Sequence, residues 1–216
     1  MPTLVGFDFP MGYPAGFAAR LTGSSLARAV RIWLSEQIRD APDNANNRFA
    51  VAAGINRRFG GPGPFWGCPA AQATADLPAR KTVDYPGLGL AERRNVERLV
   101  PRAQPVWKLY TTGSVGSQSL MGLPVVERLG LPVWPFDPIA EVTVAEVYPS
   151  LLAGEVTAAG GIKDATQVRL LARALWRLSQ ADRLRPLLAV PDAAREEGWI
   201  LGAGHAATLA EALRWT

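Results

Sequence analysis

The sequence predicts an α/β fold with a substantially parallel or mixed sheet, on three observations. Short extended apolar segments alternate with segments of helical periodicity along the 216 residues, as strands joined through helices do. Hydrophobic residues make up 48% of the chain and charged residues 19%, enough for a packed core. The 21 glycines and 18 prolines exceed the usual share of roughly 12%, which implies many turns and structured loops rather than a helical bundle.

The elements follow in order. Thr3–Phe9 is a β-branched and aromatic run stopped by Pro10 and Gly12, and reads as a strand. Residues 24–40 read as a helix, with Ser24 or Ser25 as cap and Leu26, Val30, Trp33, Leu34 and Ile38 at helical spacing. A second helix is expected from Asp43 towards Arg58, its apolar positions being Phe49, Ala52 and Ile55. Residues 59–90 are punctuated so densely by glycine and proline that no long regular element survives. A loop of that length in a compact domain is uncommon and usually functional or disordered. Phe65, Trp66 and Tyr85 within it favour an ordered lid or flap.

A short helix is expected over residues 90–99, and a strand over Val106–Thr111. The small-residue turn Thr111–Ser117 then opens a helix towards Arg128, which Pro124 kinks or interrupts. Leu131–Phe136 and Glu141–Tyr148 read as two more strands. Asp164–Gln180 is the strongest helix, with Val168, Leu171, Leu175 and Leu178 on one stripe. A last short strand at Trp199–Leu201 and a terminal helix over residues 206–215 complete the pattern. No internal repeat and no linker divides the chain, so residues 1–216 read as a single domain.

Two scarcities exclude whole classes of chemistry. One cysteine, Cys68, rules out an intrachain disulfide and a cysteine-based zinc site. Cys68 has no activating base near it in sequence and is not a nucleophile candidate. With one histidine, His205, a histidine-rich metal site is excluded, and a Ser-His-Asp triad would have to pass through that residue. Metal chemistry must then use carboxylates, which favours magnesium or manganese. The net charge of +4 is mildly basic and identifies no partner by itself. No run of apolar residues is long enough to cross a membrane, and no basic segment precedes an apolar one at the start, so a cytoplasmic protein without membrane partner is expected.

The candidate site residues are carboxylates set in apolar strands, where an unpaired charge is costly. Asp8 stands at the carboxyl end of the first strand, where α/β proteins place functional groups. Alternation puts Val142, Val144, Glu146 and Tyr148 on one face of a later strand, so Glu146 shares the face of two valines. Carboxylates from neighbouring strand ends suit divalent cations that assist phosphoryl transfer. Equally, Asp8 could take N–H bonds from the turn at Gly12, and Glu146 could pair with an arginine. Asp164 joins them, although it also reads as a helix cap, with Gln167 completing a capping box.

A second candidate is the turn after the Val106–Thr111 segment. Thr111, Thr112, Gly113, Ser114, Gly116 and Ser117 are small enough to surround a phosphate at a helix start. The spacing is neither that of a P-loop nor of a dinucleotide fingerprint, and a plain tight turn explains it as well. Asp43–Arg48 concentrates amide side chains but reads as a helix start. Arg93, Arg94, Arg98, Arg102 and Lys108 could meet phosphates, although such runs are more often a solvated face.

Taken together, VGFDFPMGYPAGFA (5–18), DNANNRF (43–49), LYTTGSVGSQSLMGLP (109–124), VWPFD (133–137), AEVYPSL (145–151), KDATQVRLLA (163–172) and EEGWILG (196–202) resemble an uncharacterised bacterial family near domain-of-unknown-function family 429. Its members are often labelled molybdopterin-guanine-dinucleotide or cobalamin biosynthesis proteins. The resemblance spans nearly the whole chain and implies a ribonuclease H-like mixed sheet flanked by helices. It further implies Asp8 and Glu146 as strand ligands and Asp164 as a late-helix ligand of Mg²⁺ or Mn²⁺, for phosphodiester hydrolysis by a nuclease. The chain departs from the family's pattern at its start, where the N-terminal strands and an Asp-Trp-Ser-like motif are expected but not found. A sheet edge should therefore be exposed, with a homodimer through that edge as one consequence. The expected partner is a nucleic acid or another nucleotide-like phosphate ligand. The alternatives are a non-catalytic nucleotide- or cofactor-binding accessory protein in those biosyntheses, and an interaction module without small ligand.

Overall fold

The structure, a computed structural model, describes residues 2–100 and 102–215. At its centre lies a three-stranded sheet of β1 (Thr3–Phe7), β2 (Val133–Trp134) and β3 (Val142–Glu146), in the spatial order β1–β3–β2. Both pairings are parallel, with Thr3 opposite Val142, Phe7 opposite Glu146 and Val133 opposite Val144. Helices α1 (Phe17–Thr22), α2 (Ala27–Gln37), α3 (Arg48–Arg58), α4 (Asn95–Leu99) and α5 (Val115–Leu129) precede β2. After β3 come α6 (Ala153–Ala159), α7 (Lys163–Gln180), the single turns α8 (Arg185–Leu188) and α9 (Ala194–Glu197), and α10 (Ala206–Ala212). No helix of the described residues is long and apolar enough to cross a membrane.

Parallel strands need cover on both faces, because the crossover helices lie there. Successive residues of β3 accordingly enter two different cores. Val144, with Val5 and Phe7, packs on α2, α3 and α5 through Val30, Leu34, Ile55, Leu120 and Leu123. Ala145, with Leu4 and Val147, packs on α6, α7 and α10 through Val156, Leu171, Leu178 and Leu209. The first core is aromatic at its centre. Trp107 lies 5.4 Å from Tyr13, 5.1 Å from Phe17 and 5.3 Å from Phe65 between ring centroids, and its indole N–H donates to the Ala91 carbonyl.

The glycine- and proline-rich segment 59–90 is a wall of this core. Phe65, Cys68, Leu77, Tyr85 and Leu90 are buried, and the buried amide of Asn56 binds the segment at both Phe65 and Asp76. Burial pushes the Cys68 thiol up, which leaves it inert.

Several expectations are corrected. Val106–Thr111 forms no strand; Lys108 makes a single parallel bridge with Trp66, although Val106, Trp107 and Leu109 are fully buried. Its apolar run reported burial, which a loop can supply as well as a sheet. Leu131–Phe136 contracts to the two residues of β2, because Pro132 and Pro135 offer no N–H to a ladder. At Trp199–Leu201 only Ile200 bridges, to Glu146. Helix α2 starts at Ala27 without a side-chain cap, the Ser24 hydroxyl instead accepting the Leu26 N–H. Helix α3 starts at Arg48, since residues 43–47 form a turn in which Asn47 accepts the Arg39 N–H and donates to the Gln37 carbonyl. Pro124 lies inside α5 without interrupting it. On α7, Leu171 and Leu178 are buried but Val168 is 67% exposed, so the stripe is only partly an inner one.

Replacing Trp107 by alanine should destabilise the protein by about 3–5 kcal/mol, measured by urea unfolding, because its ring touches several aromatic neighbours that are unable to close the void.

Candidate functional site

The carboxyl end of a parallel sheet collects loop and helix ends, and here it collects acidic side chains. Asp8 follows β1 directly, and Glu146 ends β3 beside it, because Phe7 and Glu146 are in register. Asp164, in the first turn of α7, comes close enough for Asp8 to feel its charge. The surrounding protein and then the neighbouring charges of Glu146 and Asp164 raise the Asp8 pKa to about 6. Among the described residues no hydrogen bond offsets this rise, although Asp8 keeps a side open to solvent. All three predicted carboxylates are therefore neighbours, but in different chemical states.

Glu146 is fully committed. Its Oε1 accepts from Arg94 Nη2 at 2.6 Å, and its Oε2 from Arg94 Nη1 at 2.8 Å and from the Met11 N–H at 2.9 Å. Arg94 also donates from Nε to Glu97 Oε1 at 2.8 Å and from Nη1 to the Glu197 carbonyl at 3.2 Å. Arg94, Glu97 and Glu146 are each at least 97% buried. Burial by itself would push the Arg94 guanidinium down, but Glu146 and Glu97 outweigh it and hold Arg94 above its ordinary value. Burial pushes the Glu97 carboxyl up, against the pull of Arg94.

A second set of carboxylates holds the loop that follows Asp8. Glu197 accepts the Ala15 N–H at 3.1 Å and the Asn95 N–H at 2.7 Å, and Glu196 accepts the Gly16 N–H at 2.8 Å. Gly12 lies against the Glu197 carbonyl with no room for a Cβ, which explains the glycine there. The loop behind Asp8 is thus fixed from three sides, and the Asp8 carboxylate is presented on a rigid base.

Two hollows adjoin Asp8. A narrow cleft of about 30 Å³ lies between Asp8, Glu146, Arg94, Gln104 and Val115, with room for water. A larger, mainly apolar groove of about 240 Å³ lies between the sheet and α7, with Asp8 as its charged residue.

The predicted phosphate turn sits on the rim of the cleft, because Val115 opens α5 there. Its polar groups are largely spent on the turn itself. The Gly116 N–H donates to the Lys108 carbonyl at 2.9 Å and the Ser117 N–H to the Ser114 carbonyl at 3.1 Å. The Ser117 hydroxyl donates to the Leu109 carbonyl and accepts from Arg48 Nε, while Lys108 Nζ caps the Thr112 carbonyl. Thr111 and Thr112 are exposed, and Gly113 and Ser114 half-buried. Gly116 packs so closely on the Val106 carbonyl that a side chain would not fit.

Asp164 is not the cap of α7: Ile162 holds that position, and no side chain caps the helix. Nor is the arginine run a solvated face throughout, since Arg94 is buried and Arg93 donates to the Ala103 carbonyl at 2.6 Å. His205 precedes α10, is half-buried and does not line the cleft. The sequence reading names Arg94 only as a phosphate candidate, although it allows Glu146 an arginine partner, and it assigns no role to Glu97 and Glu197. One signal existed for Arg94 and Glu97: their spacing of three at the start of α4 lets Glu97 accept the Arg94 N–H, the acidic half of a capping box.

Among the described residues no three histidine, cysteine, aspartate or glutamate side chains converge to hold a metal ion. The three-carboxylate centre expected at Asp8, Glu146 and Asp164 does not fit, because both Glu146 oxygens are taken by Arg94. Asp8 and Asp164 remain, and a magnesium ion needs no more than one or two carboxylates besides water and substrate oxygens. In comparison with known proteins, the chain matches no family model, no curated protein and no solved structure.

Two outcomes follow from these states. Arg94→Ala should cost about 3–5 kcal/mol in urea unfolding at neutral pH, and less in acid, where the orphaned Glu97 carboxyl, which burial already pushes up, can protonate. Asp8 behaves oppositely. Its folded pKa lies above the ordinary 3.8, so the folded state binds the extra proton and stability falls as pH rises from about 4 to 6. Asp8→Asn should raise the melting temperature above pH 6 and leave it unchanged below pH 4. Discounted for its open side, the gain is about 1 kcal/mol, or roughly 2–4 °C.

Proposed function

We propose that the protein is a divalent-cation-dependent phosphodiesterase of ribonuclease H-like type, working through Asp8 with Asp164 as its second carboxylate. The observation that carries this reading is the state of Asp8: a carboxylate with no hydrogen bond among the described residues, on a rigid loop at the carboxyl end of parallel strands, its charge opposed by two acidic neighbours. A divalent cation is the natural counter-charge for such a group, and would supply a polarised water and charge neutralisation at a phosphorus centre. Glu146 takes a positioning role in this reading. By fixing Arg94 and the Met11 N–H, it sets the loop from which Asp8 projects. The groove of about 240 Å³ beside Asp8 offers space for a substrate of nucleotide dimensions, and Asp164 is near enough for Asp8 to feel its charge. The resemblance to the family near domain-of-unknown-function family 429 supports the same class of reaction.

The test is Mn²⁺ titration followed by calorimetry and by thermal melting. At pH 7.5 the native chain should bind Mn²⁺ saturably and melt at a higher temperature with it. At pH 4.5 the effect should fade, because Asp8 is then mostly protonated. Asp8→Asn should abolish binding, Asp164→Asn should weaken it, and the native chain should cleave a generic phosphodiester such as bis(4-nitrophenyl) phosphate only with the metal. Absence of Mn²⁺ binding by the native chain at pH 7.5 would sink the proposal.

A further inference from the structure

Two buried arginines stand in opposite states. Every nitrogen of the Arg94 guanidinium is hydrogen-bonded, whereas Arg31, only 2% exposed, is held loosely. Its Nε donates to Glu127 Oε2 at 3.3 Å, and its Nη2 lies 3.9 Å from Asp137 Oδ2, beyond hydrogen-bond length. Arg31 Nη1 has no partner among the described residues. Burial pushes the guanidinium down from its ordinary value, against the pull of Glu127. An unmet guanidinium N–H below the surface is costly, and an acceptor brought to it from outside removes that cost.

Such an acceptor has a place to sit. Arg31 lines a hollow of about 330 Å³ between α2, the end of α5 and the turn after β2, a size usual for small-molecule sites. None of its lining residues belongs to either hollow beside Asp8. Its charges cancel, Arg28 and Arg31 standing against Glu127 and Asp137. Glu127 is spent on the two arginines, accepting from Arg28 Nη2 at 3.0 Å and Nε at 3.1 Å. Asp137 accepts the Val133 N–H on Oδ2 at 2.9 Å and has no hydrogen bond on Oδ1 among the described residues. The hollow therefore offers unmet donors and, next to them, an unmet carboxylate oxygen.

We propose that this hollow binds a small zwitterion, an α-amino acid with an apolar side chain, its carboxylate on Arg31 and Arg28 and its ammonium on Asp137. A plain anion or a plain cation meets no net opposite charge there, whereas a zwitterion answers both signs. Its carboxylate takes over the contact to Arg31 that Asp137 makes only at 3.9 Å, which leaves Asp137 to the ammonium. The carboxyl end of α5, whose Gly130 lines the hollow, adds partial negative charge that also suits an ammonium. Leu131, Pro132 and Pro138 supply the apolar surface for the side chain.

Calorimetry and thermal melting of the full chain test this, with leucine as the probe. Leucine should bind saturably, one per chain, and raise the melting temperature. Two truncated relatives separate its charges: 4-methylpentanoate lacks the ammonium, and 3-methylbutylamine lacks the carboxylate. Each should bind at least about tenfold more weakly than leucine. Loss of the buried Arg31 threatens the fold, so the variants are Asp137→Asn and Arg28→Gln, with circular dichroism to verify that each is folded. Asp137→Asn keeps an oxygen for the Val133 N–H. It should weaken leucine at least about tenfold without weakening 4-methylpentanoate, a split that a merely structural role would not produce. Arg28→Gln should weaken both. No binding of leucine at about 10 mM overturns the proposal, as does leucine binding that Asp137→Asn leaves unchanged. Equal binding of leucine and 4-methylpentanoate overturns the zwitterion as the class of ligand.

Discussion

The buried guanidinium of Arg94 is the constraint on which the rest of the molecule depends. It joins the end of β3 through Glu146, the start of α4 through Glu97 and the end of α9 through the Glu197 carbonyl. These segments are far apart in sequence, and each offers a carboxylate or carbonyl that would be costly to bury alone. Arginine suits the position because its planar fork donates to two acids at once while remaining charged. The net electrostatic gain of such a pair over an apolar substitute is small; what it confers is a single registration of three chain segments.

That registration determines what the acidic end of the sheet can do. Glu146 would compete for a cation were it free, but with both oxygens committed it serves as a strut. Asp8, one strand over, has no hydrogen-bond partner among the described residues, and burial and its acidic neighbours raise its pKa. Two carboxylates of similar sequence context thus end in opposite states, the difference being one arginine. The Met11 N–H on Glu146 and the N–H groups of Ala15 and Gly16 on Glu197 and Glu196 transmit the rigidity of the pair to the loop behind Asp8.

Local chemistry made part of this legible in advance. β1 and β3 announce themselves by alternation that two cores impose, and α7 by its length, so the placing of Asp8 and Glu146 at neighbouring strand ends was within reach. Val106–Thr111 misled because a buried loop and a buried strand select the same side chains, and only the position of the bonding partner separates them. The role of Arg94 was hidden for a different reason. It stands in a run of arginines, which reads as surface, and its decisive partner lies 52 residues away. The turn at residues 111–117 shows the converse limit: small polar residues suit a phosphate and a tight helix start alike, and the backbone N–H of Gly116 settles on the Lys108 carbonyl.

The wall formed by residues 59–90 separates two properties that usually travel together. Phe65, Cys68, Leu77 and Tyr85 lie as deep in the core as the side chains of any helix, yet apart from the three-residue turn Ala70–Gln72 the segment holds few repeating main-chain bonds. Solvent exchange of main-chain protons reads the second property and not the first. Along this stretch such a measurement would report only scattered bonded N–H groups, such as those of Phe65, Trp66 and Leu90, and the contribution of the rings that form the floor of the aromatic cluster would emerge only when the side chains themselves are observed.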